Sequence, residues 1–104
     1  MTYILFSVPG GSEIIGKVIE DNGITLTVDQ PLVVRPVQRG ANDFVLQLFP
    51  HSLANPEGEH KFSYSQIVSV SSKIPDRLET EYVKQTSNII LHSALNEMEL
   101  GLGL

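Results

Sequence analysis

Apolar side chains along residues 1–74 come in short runs, each closed by glycine, proline or asparagine. "TYILFSV" ends at Pro9-Gly10-Gly11, and "SEIIGKVIED" ends at Asn22-Gly23. In "ITLTV", Ile24, Leu26 and Val28 alternate with Thr25 and Thr27, the period of a strand with one buried face. Asn-Gly between two such runs predicts a hairpin, because a type I′ turn takes positive φ at both central residues. "PLVVRPV" continues extended, and Pro36, which has no N–H, marks an edge or a strand end. "QRGAN" then reads as a turn, "DFVLQLF" as a strand and "PHSLANPEGEH" as a polar loop. In "KFSYSQIVSVSS", Phe62, Tyr64, Ile67, Val68 and Val70 supply the last strand signals.

From Pro75 the pattern changes. Pro75 suits a first helical turn, Asp76 and Glu79 suit its positive end, and Leu78, Tyr82, Ile89 and Leu95 recur at roughly helical spacing. The expectation is one amphipathic helix, with a break near Thr86-Ser87-Asn88 and a frayed "GLGL" end. Residues 1–74 are expected to form a β-barrel and residues 75–104 a helix and frayed tail packed on or beside it, all one domain. Five short strands separated by turns predict a mainly β, strongly bent antiparallel small barrel. A closing sheet must bend sharply, and a glycine inside a strand marks such a bend or a close backbone approach, the role expected of Gly16.

Charge and composition narrow the function. The formal charge of −5 opposes generic nucleic-acid binding, since phosphates attract clustered Lys and Arg. Yet −3 of it falls in residues 75–104, where Asp76, Glu79, Glu81, Glu97 and Glu99 face only Arg77 and Lys84. Arg35 and Arg39 sit in an acid-free stretch from Gln30 to Asn42, and another runs from Lys61 to Lys73, leaving room for a local positive face. Cysteine is absent, so there is no disulfide and no thiolate chemistry, which fits a reducing interior. No run of about 18 apolar residues and no signal-peptide pattern occurs, so a cytoplasmic chain without membrane contact is expected.

The stretch "PGGSEIIGKVIEDNG" resembles the first segment of Sm and Sm-like proteins, which runs glycine, two variable residues, apolar, one variable, glycine, one variable, apolar. Gly11, Ile14, Gly16 and Val18 stand at those positions. The strands "TYILFSV", "SEIIGKVIED", "ITLTVDQPLVV", "DFVLQLF" and "IVSV" are similar in order to the family's five, over roughly residues 3 to 71. With its carboxyl-terminal helix, the chain is closest in look to small Sm-like proteins ascribed to phages. The resemblance implies an SH3-type barrel whose outer strands pair between subunits into a homo-oligomeric ring of about five to seven copies. It also implies single-stranded RNA or DNA as partner, bound at loops facing the pore, with a role in nucleic-acid processing or regulation. Departures lie at the base-holding positions: the family's Asp, apolar or aromatic residue and Asn fall on Asn22, Thr25 and Leu26, and its Arg-Gly falls on Ser63-Tyr64.

Candidate binding residues are therefore Asp21 and Asn22 at the hairpin tip, Lys61, Ser63 and Tyr64 before the last strand, and Arg35 and Arg39 as phosphate contacts. Tyr64 offers a ring on which a base can stack. Candidate edge residues are Phe44, Val45, Leu46, Leu48 and Phe49, with Ile67 and Val68 on the last strand. Phe44, Leu46 and Leu48 are expected to fill one face while Val45 and Phe49 leave the other apolar, an edge that invites another strand. Catalysis is not expected. There is no G-x-S-x-G, no phosphate loop, no cofactor motif and no short metal spacing among His51, His60 and His92, although His51 and His60 flank one loop and can meet in space. The alternative function is an oligomeric protein-interaction or structural module whose nucleotide pocket has degenerated.

Overall fold

The structure, a computed structural model, describes residues 2–87. It is mainly β, with one antiparallel sheet followed by a helix. The strands are β1 (Tyr3–Ser7), β2 (Glu13–Asp21), β3 (Thr25–Gly40), β4 (Asp43–Pro50), β5 (Glu59–Ser63) and β6 (Ser69–Val70). A single 3-10 turn, Tyr64–Gln66, links β5 to β6, and helix α1 covers residues 76–87. The order across the sheet is β4-β3-β2-β1-β6, with β5 also paired to β3.

β3 is the hub. Its 16 residues bond to β2 along one edge, and along the other to β5 from Thr25 to Asp29 and to β4 from Leu32 onward. β4 and β5 thus lie end to end against the same edge, with residues 51–58 looping out between them. The two loop ends are tied to the gap in the ladder: the Gln30 N–H donates to the Gly58 carbonyl at 3.0 Å, and the His51 N–H to the Pro31 carbonyl at 3.0 Å.

The loop 51–58 matches the expected polar loop, but the 3-10 turn Tyr64–Gln66 divides the last expected strand and raises the strand count from five to six. "KFS" belongs to a strand of its own, β5, and "IVSV" contributes only the short β6. The "QRGAN" turn is also shorter than expected, because β3 runs through Arg35–Gly40 and only Ala41 and Asn42 turn the chain. Pro36 survives inside β3 because the β2 pairing has stopped at Val34, so from there β3 has a single neighbour, β4. The hairpin between β2 and β3 is centred one residue later than the Asn-Gly reading. Gly23 alone has positive φ, 82°, while the Asn22 side-chain carbonyl accepts from the N–H groups of Ile24 at 2.9 Å and Thr25 at 2.7 Å. The asparagine holds the turn with its side chain rather than with a left-handed backbone.

Successive residues of a strand face opposite sides of a sheet, and here both sides are buried. Leu5, Ile15, Leu32 and Leu48 form one cluster with Leu78 and Tyr82 of α1. Phe6, Ile14, Leu26, Val28 and Val33 form the other, flanked by Phe62, Tyr64 and Ile67. The helix covers the first side, so the expected helical positions Leu78 and Tyr82 are buried as anticipated; Ile89, Leu95, Asn88 and the "GLGL" end lie outside the described residues. The Tyr82 hydroxyl donates to the Asp29 carbonyl at 2.6 Å and accepts from the Lys17 N–H, and burial pushes its pKa up to about 12.

Gly16 has a specific reason to be glycine. Between the pairs Ile15–Leu32 and Lys17–Asp29, Gly16 alone faces two β3 residues, Gln30 and Pro31, so the ladder bulges there. A Cβ on Gly16 would overlap the Val28 side chain, which is fully buried. Close approach of β2 and β3, not a left-handed backbone, is the constraint. Gly16→Ala should destabilise by about 1–3 kcal/mol through overpacking, and in a double-mutant cycle with Val28→Ala the penalty should shrink by about 1 kcal/mol. Chemical denaturation of the four variants checks this; strict additivity would remove the steric explanation.

Candidate nucleic-acid interface

Five of the sequence-predicted site residues come together at one end of the sheet. β2 delivers Asp21 and its turn Asn22; β5, which pairs with the start of β3, delivers Lys61 opposite Thr27 and Ser63 opposite Thr25; Tyr64 follows at once. The Tyr64 N–H donates to the Ile24 carbonyl at 2.9 Å, which pins the 3-10 turn to the hairpin tip. The Tyr64 hydroxyl donates to Asp21 Oδ2 at 2.7 Å, joining residues 43 positions apart. Asp21 also accepts from the Gly23 N–H, and these two bonds hold its carboxyl below the usual carboxylate range, the Tyr64 contact being the larger cause. The same contact pushes the Tyr64 phenol up. Ser63 Oγ is bonded to Ser65 Oγ at 2.8 Å and accepts from the Ser65 N–H, so it caps the turn.

Tyr64 is half-buried and packs on the cluster around Phe6. Asn22 Oδ1 is engaged by the turn. Ile24 stands exposed beside both. The cluster therefore offers an ionised carboxylate, a partly open aromatic ring and an apolar side chain, with Lys61 two residues before Ser63 on β5.

Arg35 and Arg39 do not join this group. They lie in the outer half of β3, beyond the Gln30–Pro31 bulge, and Arg39 Nη2 is 3.5 Å from Asp43 Oδ2 in an exposed pair. Arg35 borders a depression with Phe49, His51 and Leu53. The edge candidates also separate. Leu48 is buried and Ile67 packs on the Phe6 cluster, so both serve the core. Phe44 is 63% exposed, Leu46 53% and Val68 68%; Phe49 and Val70 are exposed too, and Val45 is half-buried. Phe44 and Leu46 do not fill a face with Leu48, as the alternation suggested, because the β3–β4 arm extends past the part of the sheet that β2 covers.

One feature escaped the sequence reading. Gln30 has φ 47°, the left-handed region, directly before Pro31. Since a residue before proline is biased toward extended backbone, the sequence signal points the wrong way. His51 and His60 do meet, with ring centroids 5.8 Å apart, and His51 also lies against Phe62. The His60 Nε2 is 3.0 Å from the Asn55 carbonyl across the loop. Among the described residues no group of three or more His, Cys, Asp and Glu could hold a metal ion, and no helix is long and apolar enough to cross a membrane. No protein-family model and no curated protein matches the chain.

The histidine pair predicts a pH dependence. Burial, and secondarily His60, hold the His51 pKa below its usual value of 6.5. A depressed folded-state pKa means the unfolded chain takes up the proton first, so stability present above pH about 6.5 is lost as pH falls toward the folded value. Denaturant midpoints should fall as the pH drops below about 6.5, and His51→Phe should flatten that part of the profile. An unchanged slope in the variant would contradict it.

Proposed function

We propose that this chain is an Sm-like small barrel that assembles head to tail into a ring and binds single-stranded RNA, or DNA, without chemistry of its own. The observation that carries the reading is the union of Asp21, Asn22, Ser63 and Tyr64 at one end of the sheet by the 2.7 Å hydrogen bond between Tyr64 and Asp21. Two loops that are distant in sequence are combined into one surface, and a tyrosine beside a short polar turn suits a stacked base.

The sheet's ends support the assembly half of the reading. β4 and β6 close the strand order at opposite ends, and the exposed Phe44, Leu46 and Phe49 of β4, Val70 of β6 and Val68 just before it would be covered if β4 of one copy paired with β6 of the next. Such a contact joins two different surfaces, so it repeats head to tail and closes when the rotation per subunit divides a full turn. Within this reading the curl needed for a barrel comes from the Gly16 bulge and the use of both β3 edges.

A second reading is an oligomeric protein-interaction module on the same barrel. It is favoured by the Asp21 carboxylate, which is ionised at the centre of the surface and repels phosphate.

Light scattering should give a multiple of the 11.5 kDa chain mass, and a monomer would sink the ring. Short U-rich, A-rich and mixed RNA and single-stranded DNA should then bind with a Kd below about 100 μM that weakens with salt. Tyr64→Ala should cost about 1–3 kcal/mol of binding, whereas Tyr64→Phe, which keeps the ring, should cost much less. A ring that binds none of these oligonucleotides would favour the interaction module.

A further inference from the structure

The free edge of β4 is not free along its whole length. The His51 N–H donates to the Pro31 carbonyl, which makes 31 and 51 a hydrogen-bonded pair at the end of the β3–β4 ladder. Bonded and non-bonded pairs alternate in an antiparallel ladder, so Val33–Phe49 and Arg35–Gln47 are bonded, whereas Val34–Leu48, Pro36–Leu46 and Gln38–Phe44 are not. Phe44, Leu46 and Leu48 therefore turn their N–H and C=O groups away from β3, toward the edge. Among the described residues no hydrogen bond reaches those of Phe44 or Leu46. The Leu48 carbonyl is answered by the helix, because Gln85 Nε2 donates to it at 2.8 Å. A side chain of α1 thus stands where the N–H of a neighbouring strand would be.

The other end of the sheet offers a single counterpart. The Ser71 N–H donates to the Leu5 carbonyl at 2.9 Å, so Phe6–Val70 is a non-bonded pair of β1 and β6, and Val70 points its N–H and C=O outward. Val70 is 49% exposed. Leu46, on the face of β4 that packs under α1, borders a cleft of about 160 Å³ with Pro75 and with Arg77, Leu78 and Glu81 of the helix. We propose that Gln85 is a register stop for assembly: it closes β4 at Leu48, so that Val70 of a second copy pairs antiparallel with Leu46 and seats its side chain in the cleft beside α1. The inference rests on the head-to-tail reading and names its contact.

Three antiparallel registers bring outward groups face to face. Val70 opposite Leu48 competes with Gln85 for the carbonyl. Val70 opposite Phe44 puts Val68 against Leu46, and the Val68 N–H is already bonded to the Ser7 carbonyl at 2.9 Å. Val70 opposite Leu46 makes a hydrogen bond in each direction, joins two aliphatic side chains on one face, and brings Lys73 of the second copy level with Asp43, a pair of opposite charge. A parallel pairing would set Val70 beside Val45, on the face away from α1, and leave the cleft empty.

The chain has no cysteine, so introduced thiols report alone. A hydrogen-bonded antiparallel pair holds its Cα atoms about 5.5 Å apart, inside the disulfide range of about 4.4–6.8 Å, whereas diagonal neighbours stand about 7–8 Å apart. Under mild oxidation Leu46→Cys with Val70→Cys should give a ladder of disulfide-linked multimers, while Phe44→Cys or Leu48→Cys with Val70→Cys should give none. Gln85→Leu, which cannot donate, should let the 48–70 disulfide appear and lower the 46–70 yield; the second readout carries the test if Leu48→Cys fails to fold. Light scattering separates the two failures. A monomer overturns the head-to-tail reading and this contact with it, whereas a multimer without the 46–70 disulfide overturns the contact alone. The proposal is also overturned if Leu46→Cys by itself links copies, the mark of β4 pairing with β4, or if Gln85→Leu leaves the disulfide pattern unchanged.

Discussion

The close approach of β2 to β3 at Gly16 is the contact on which the other features depend. With no Cβ at Gly16, the Val28 side chain occupies the space beside the β2 backbone, and the ladder slips by one residue as β3 passes Gln30 and Pro31. That bulge redirects β3, so one strand can pair with β5 before it and with β4 after it on the same edge. Bulges sharpen twist and bend a strand, whereas a flat sheet of this length could not bury both of its faces within a single short chain.

Each functional reading draws on the same bend. The first part of β3 brings β5, and hence Ser63 and Tyr64, to the hairpin tip where Asp21 waits. The bulge turns Gln30 inward beneath α1, while Tyr82 locks the helix to the strand through the Asp29 carbonyl and the Lys17 amide. The second part of β3 extends beyond β2 with β4, which leaves Phe44 and Leu46 uncovered. Surface, helix seat and open edge are thus three consequences of one strand changing direction.

Much of this was legible in the sequence where local chemistry decides. Leu26 and Val28, the turn at Gly10-Gly11 and the helical positions Leu78 and Tyr82 behave as their residue types dictate, whereas Ile24, the first of the alternating run, falls in the turn before β3 and is 74% exposed. Gly16 was legible as an anomaly, and packing against Val28 supplies its cause. The candidates Asp21 and Tyr64 were named separately, but their hydrogen bond is a tertiary fact that no spacing encodes. The failures share a source in long-range geometry. The 3-10 turn Tyr64–Gln66 splits the last expected strand into β5 and β6 because the Tyr64 N–H is fastened to the Ile24 carbonyl, and Asn22 holds its turn through its side chain. Gln30 ahead of Pro31 was invisible, since local preference runs against the conformation that the bulge imposes.

The most direct test of the central claim is a map of cross-strand nuclear Overhauser contacts. In an antiparallel pair, close backbone contacts identify which residues face each other. The account predicts contacts from β3 to two strands on one edge, Val28 with His60 and Val34 with Leu48, together with Val28 with Val18 on the other. Contacts to only one of β4 and β5, or an unbroken β2–β3 register through Gly16, would contradict it.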